Sequence, residues 1–252
     1  MQGFFICIYL HQLYDSMKKL TGRRKMGGVY ELIVLALPIV ISQSSDTLMV
    51  FTDRIFLSRL GAEHMNAATI GGITSFTLIS FFFGLIGFST ALIAQYFGAG
   101  RQTDCPRVTF QAFIISIVSY PLILAAIPLI FVLFSWSGIS ITQLALQKQF
   151  LSILAFGSVI SLCRHALSCY FSGIGRTKVV MVAALTSFGI NIVVNYVLIF
   201  GKLGFPAMGI VGSAVGTLIA SVCGLSVALF YFFRSDNALH FSVSKAFAFD
   251  WS

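Results

Sequence analysis

Six uninterrupted apolar stretches, each twenty residues or longer, constrain this chain more than any other feature of it. They run approximately over 32–57, 67–97, 108–134, 151–171, 179–200 and 210–233. A hydrocarbon core about 30 Å thick is crossed by about 20 helical residues at 1.5 Å each. The runs are continuous rather than alternating in polarity, which argues for helices and against a β-barrel. Short polar or glycine-bearing segments separate them, at 58–66, 98–107, 135–150, 172–178 and 201–209. Composition agrees: of 252 residues, 58% are hydrophobic and 10% charged, where soluble domains carry about 25% charged residues. No single water-soluble core buries that much apolar surface, so soluble enzymes and nucleic-acid readers are excluded. The expected fold class is an all-α membrane protein with six transmembrane helices and membrane lipid as its solvent.

The net charge of +8 is then read as helix-end cations rather than as a nucleic-acid footprint. Lys18, Lys19, Arg23, Arg24, Lys25, Arg101, Arg107, Arg176, Lys178, Arg234 and Lys245 fall on one side of the six-span path. Arg54, Arg59, Lys148 and Lys202 fall on the other, and Arg164 lies within the fourth span. Eleven against four predicts cytoplasmic termini by the positive-inside rule, with the inner (plasma) membrane as the location. The chain divides into a basic N-terminal segment 1–28, a six-helix lobe 29–235 and a cytoplasmic tail 236–252. Met17-Lys-Lys-Leu reads as a natural beginning, and Met1–Leu10 lacks the basic region of a signal peptide. Cys7, Cys105, Cys163, Cys169 and Cys223 show no metal-ligand spacing and read as small hydrophobes.

Polar residues inside the spans point to function, because a charge at the bilayer centre costs about 2.5–3.5 kcal/mol on insertion scales. Asp46 and Asp53 lie seven residues apart in the first span. That spacing puts them on nearly one face, about 10 Å apart along the axis. They are too distant to share a proton and close enough to line one cavity. Asp53, nearer the span's end, also fits a solvated helix-end carboxylate. Asn191 and Asn195 stack one turn apart in the fifth span, and Ser213 and Thr217 do so in the sixth. Each pair fits either interhelical hydrogen bonding or a site around a carboxylate or cation. Arg164 is expected to snorkel toward the headgroups, and His165 to be a packed side chain. Pro38 sits in the first span, and Pro121 and Pro128 interrupt the third. Gly84, Gly87, Gly209, Gly212 and Gly216 suit close helix approach. No nucleophile elbow, HExxH, phosphate loop or Cys/His cluster occurs, so no enzymatic role and no cofactor is expected.

At these positions the chain resembles the multidrug and toxic compound extrusion (MATE) family of secondary transporters. The likeness runs from Leu35-Ala-Leu-Pro38 through Asp53 to Leu60-Gly61 and Ala67-Ala68, then Ala94-Gln95-Tyr-Phe-Gly98-Ala99-Gly100. It continues at Ser172-Gly-Ile-Gly175-Arg-Thr-Lys178, Asn191-Ile-Val-Val-Asn195-Tyr, Ile199-Phe-Gly201 and Met208-Gly-Ile-Val-Gly212, covering roughly 29–235. The resemblance implies an antiporter in which proton or sodium entry drives expulsion of cationic amphipathic compounds. It implies that Asp53 is the coupling carboxylate, with sodium as a possible ion there, and that Pro38 takes part in bending its helix. By the same likeness Asn191 and Asn195 neighbour the aspartate, and a hydroxyl from Ser213 or Thr217 joins them. Some branches carry Asp where this chain has Asn195. Departures are Arg54 after the aspartate, where the family has a small polar residue, and Ser58, where it has glycine. Arg54 could hold the carboxylate ionised and blunt proton coupling.

Length is a further departure. The family has two homologous six-helix lobes, whereas one is present here without an internal repeat, and 234–252 resembles the linker into the second. The expectation is therefore the N-terminal half of a two-lobe antiporter, which needs a second six-helix lobe to rock against. Two other readings remain open: a lipid-linked saccharide flippase of related architecture, and a non-transporting membrane fragment.

Overall fold

The computed structural model describes residues 29–136, 138–234 and 241. The basic segment 1–28 and, apart from Phe241, the tail 236–252 lie outside the described residues. The described chain is helical and holds no strand. Eight α-helices follow one another: α1 (Val29–Ser58), α2 (Ala62–Gly87), α3 (Ser89–Gly98), α4 (Cys105–Ser135), α5 (Ile141–Phe156), α6 (Ser158–Gly173), α7 (Thr177–Phe200) and α8 (Gly209–Phe233). A single 3₁₀ turn, Gln102–Asp104, precedes α4. The chain divides between Leu37 and Pro38 into two units. The first contributes the opening turns of α1, and every contact described below lies within the second.

Among the described residues, five helical stretches suffice by length and apolarity to cross a membrane, and six when α5 and α6 count as one bent span. The second expected span is α2 and α3 together, one apolar length of 37 residues from Ala62 to Gly98. The fourth differs from expectation. Its helix begins at Ile141, ten residues ahead of the anticipated start, and bends by 47° between α5 and α6. The polar letters Gln143, Gln147 and Lys148 read as a connection, yet they sit on a helix. Ser140 caps that helix by accepting from the Gln143 backbone N–H at 3.2 Å, and Gln147 is 1% exposed. At the bend, Gly157 has no side chain where Leu218 of α8 presses in. The prolines of the third span do not interrupt it, for α4 runs through Pro121 and Pro128 as one helix.

Two kinds of helix contact build the unit. Between α7 and α8 the backbones touch: a Cβ at Gly212 would lie 2.8 Å from the Leu198 carbonyl. One at Gly216 would collide with the Asn195 carboxamide, and one at Gly224 with Ser187. The turn joining them depends on Gly201, whose φ of 66° is a left-handed helix cap. Met208 N–H then returns to the Leu198 carbonyl at 2.9 Å. Gly84, by contrast, faces open space. Helix α1 approaches its neighbours mainly through side chains. From Pro38 onward it buries one stripe, Pro38, Ser42, Ser45, Asp53 and Leu57, and exposes Val40, Leu48, Val50, Phe51 and Ile55. Leu57 enters an apolar cluster with Ala67, Ala68, Phe150, Ile199, Ile210 and Ala214. That cluster closes over the last turn of α1 and orients the carboxylate one turn before it.

Candidate functional site

Asp53 is 5% exposed, which removes the reading of a solvated helix-end carboxylate. Its two oxygens are held by different helices. Asn195 of α7 donates from Nδ2 to Oδ1. Thr217 of α8 lies 3.3 Å from Oδ2 through Oγ1, and the same hydroxyl is 2.9 Å from the Ser213 carbonyl. A hydroxyl has one proton, so the shorter contact takes the larger share of it. Asn195 is completely buried and can lie against Asp53 because Gly216 behind it has no side chain.

Further polar groups along α7 and α8 stand without partners, from Asn195 Oδ1 at the contact itself to Ser187 more than two turns away. Both ends of the Asn191 carboxamide, Asn195 Oδ1 and the Ser213 and Ser187 hydroxyls are shielded from solvent and unpaired among the described residues. Buried polar groups are ordinarily satisfied, so a cluster of orphaned ones on α7 and α8 marks a place built for something polar. Its donor set is a carboxylate, two carboxamide oxygens and hydroxyls, the hard oxygen chemistry that suits a small cation or a proton. Among the described residues no three of His, Cys, Asp and Glu gather as a metal centre.

The remaining sequence candidates separate from this cluster. Asp46 does not join Asp53; it meets Arg164 of α6 at 3.4 Å. Arg164 therefore does not snorkel toward a helix end, because the guanidinium finds a carboxylate at mid-length of α1. The pairing was foreshadowed by charge balance alone: a cation and an unassigned carboxylate in separate spans each need a partner. The Arg54 guanidinium makes no hydrogen bond to Asp53 among the described residues and stands 5.8 Å from the Phe150 ring and against Gly72, where a Cβ would lie 2.7 Å from it. Of the two sixth-span hydroxyls, Thr217 reaches Asp53 and Ser213 Oγ does not. His165 is packed as expected, stacked 4.3 Å from Phe83 with Nε2 on the Phe83 carbonyl at 3.2 Å. Pro38 lies inside α1, fifteen residues before Asp53. Beside the site, Phe56 and the outer flank of α7 (Ile192, Val193, Tyr196, Val197) border an apolar groove of about 520 Å³.

Membrane-length helices around a buried carboxylate are the construction of a multi-pass membrane protein. The chain belongs to the MatE family, whose model matches residues 38–197. A relative from Halalkalibacterium halodurans, named "Probable multidrug resistance protein NorM", is 33% identical over 214 residues, which are 84% of this chain and 46% of that protein. A crystal structure of a MATE protein in the bent conformation superposes with a TM-score of 0.76 at 25% identity, covering 88% of this chain and 49% of the other. One in the straight conformation gives 0.73 at 25% identity, with coverages of 82% and 46%. The chain spans about half the length of the curated relatives it matches.

Proposed function

We propose that this chain is the N-terminal lobe of a multidrug efflux antiporter, in which a proton or sodium ion and a cationic amphipathic compound compete for Asp53. The observation that carries this reading is a buried carboxylate whose hydrogen bonds come from neutral donors, Asn195 and Thr217, with the orphaned Asn195 Oδ1 beside it and no ion pair formed on it among the described residues. A carboxylate so placed costs free energy when left charged and uncompensated. It gains by taking up a proton, a sodium ion or a positively charged substrate. Occupancy by one disfavours occupancy by another, which is the exchange an antiporter needs.

Expulsion also requires the site to open to each side in turn, by rocking of one bundle against another. We therefore infer a second six-helix lobe as partner, consistent with relatives about twice as long. Pro38 removes one hydrogen bond from α1 and is assigned the hinge of that helix; family members have been solved in bent and straight conformations. The cation bias of the connections supports cytoplasmic termini and an inner-membrane location. The chain acts as a transporter rather than an enzyme, in membrane lipid, without a cofactor or a nucleic-acid partner.

The test pairs the chain with a C-terminal lobe in vesicles and follows efflux of a cationic dye. Asp53→Asn is expected to abolish efflux driven by a proton or sodium gradient while leaving expression and fold intact. Unchanged gradient-driven efflux in that variant would rule out Asp53 as the coupling group.

A further inference from the structure

Away from the Asp53 cluster, α1 and α6 carry a second pair of charges whose geometry is incomplete. Arg164 Nη2 reaches Asp46 Oδ1 at 3.4 Å, longer than the 2.7–3.2 Å of ordinary N–H···O bonds. The guanidinium has five N–H donors in a planar fork. Its Nε is shielded from solvent and has no acceptor among the described residues. Nearby polar groups are committed elsewhere: His165 Nε2 lies on the Phe83 carbonyl, and the Ser45 hydroxyl donates to the Ile41 carbonyl. A tie evolved only to hold two helices would close both oxygens on both nitrogens, the strong bidentate form. Here Asp46 takes one corner of the Nε–Nη2 edge, which is the edge shaped for a carboxylate's two oxygens. The Asp46 side chain is 34% exposed and Arg164 24%, so the pair is reachable from its outer side, with Nε behind it. Helix α1 also meets its neighbours mainly through side chains, and such contacts exchange singly.

We propose that Arg164 is the receiving group of a second binding site, which takes the carboxylate of an amphipathic organic acid, with Asp46 as the internal anion that the ligand displaces. The ligand's two oxygens bond Nε and Nη2 together, and its apolar body lies along the aliphatic walls of the spans. The site widens the range of compounds the lobe accepts beyond the cations attracted by Asp53. Its exchange of one carboxylate for another moves no proton and breaks no covalent bond.

Binding can be read on the purified chain in lipid nanodiscs, without transport, so failure here leaves the Asp53 reading untouched. The probes are dansylglycine and its neutral amide, dansylglycinamide, each corrected for uptake by empty nanodiscs. The carboxylate is expected to bind at least tenfold tighter than the amide. Arg164→Gln is expected to erase that preference. Asp46→Asn removes the internal competitor and is expected to tighten carboxylate binding several-fold, the opposite of what loss of a purely structural tie would do. Equal affinity for the two probes, a preference that survives Arg164→Gln, or an Asp46→Asn chain that binds the carboxylate no better would each overturn the proposal. Where Arg164→Gln fails to fold, the Asp46→Asn measurement decides alone.

Discussion

Helix α1 and the α7/α8 pair contribute to the same site by opposite means. The pair is packed closely on glycines: Gly212 lies against the Leu198 backbone, Gly216 against the Asn195 carboxamide and Gly224 against the Ser187 hydroxyl. Close-packed backbone has no slack, so Asn191, Asn195, Ser213 and Thr217 are presented in a fixed array. Helix α1 brings the charged partner to that array on side-chain tethers. Asp53 spans to Asn195 and Thr217, Asp46 to Arg164, and Arg54 to Phe150, with Leu57 as its apolar anchor. Side-chain bridges can be exchanged one at a time, whereas interlocked backbone moves as a body. The difference separates a rigid platform, α7 and α8, from a helix held by contacts that can be exchanged singly.

The largest effect should come from attacking the platform. Gly212→Leu drives a branched side chain into the backbone of Leu198 and Ile199, which cannot rotate aside. Overpacking of this kind costs about 3 kcal/mol. The expected result is a chain that unfolds at much lower SDS fraction, or fails to run as one species on size exclusion. Gly84→Leu, at a glycine facing open space, should unfold almost as the parent does. Equal damage at both positions would mean that the α7/α8 contact is not the rigid element.

Cutting the principal tether should cost less and be felt on α1. Asn195→Ala leaves Asp53 with Thr217 alone, and the hydrogen bond lost is one to a charged acceptor, worth about 2 kcal/mol. Hydrogen exchange should rise at the α1 amides around Asp53 while α8 amides stay protected. Protection lost equally from both helices would erase the distinction drawn between them.

The α7/α8 half was legible in residue spacing, whereas the partners of Asp53 were expected through the family resemblance alone and the Asp46–Arg164 pair was not foreseen, for a physical reason. Run length alone marks membrane helices, and Asn191, Asn195, Ser213 and Thr217 announce a common face through spacings of one turn. Partners of α1 are long-range: Asp53 meets Asn195 across 142 positions and Asp46 meets Arg164 across 118. No local period encodes such pairings. The choice of Thr217 over Ser213 depends on how α8 is rotated, which Gly212 and Gly216 set by how closely α7 can approach. Likewise the start of the bent span at Ile141 was hidden, because Gln143 and Gln147 read as a connection until a cap and a packing partner are seen. Adjacent residues of a helix do not share a face, and Arg54 accordingly lies in a notch that Gly71 and Gly72 open beside Phe150, which only the folded α2 displays.

That notch permits a milder test of the tethers. Arg54→Gln removes a cation from the face of Phe150, a contact worth about 0.5–1 kcal/mol, without touching the Asp53 oxygens. Stability in SDS should fall slightly, and sodium affinity measured by calorimetry should stay within about twofold. A large change in sodium affinity would show that Arg54 acts on the carboxylate after all, and would make it part of the site.

The smallest effect is expected where the platform meets the carboxylate through a divided hydroxyl. Thr217 Oγ1 stands 2.9 Å from the Ser213 carbonyl and 3.3 Å from Asp53 Oδ2, so most of its single proton serves its own helix. Thr217→Val keeps the shape and β-branching and deletes only the hydroxyl. The weaker contact is worth about 0.5 kcal/mol, at the low end for a hydrogen bond, which is about a twofold loss in sodium affinity. A loss of tenfold or more would mean that the hydroxyl oxygen itself binds the ion, since a lost donor to Asp53 cannot account for so much. Thr217→Ser then separates the cases: it restores affinity where the oxygen is the ligand, and changes little where the contact to Asp53 is only a donor shared with Ser213.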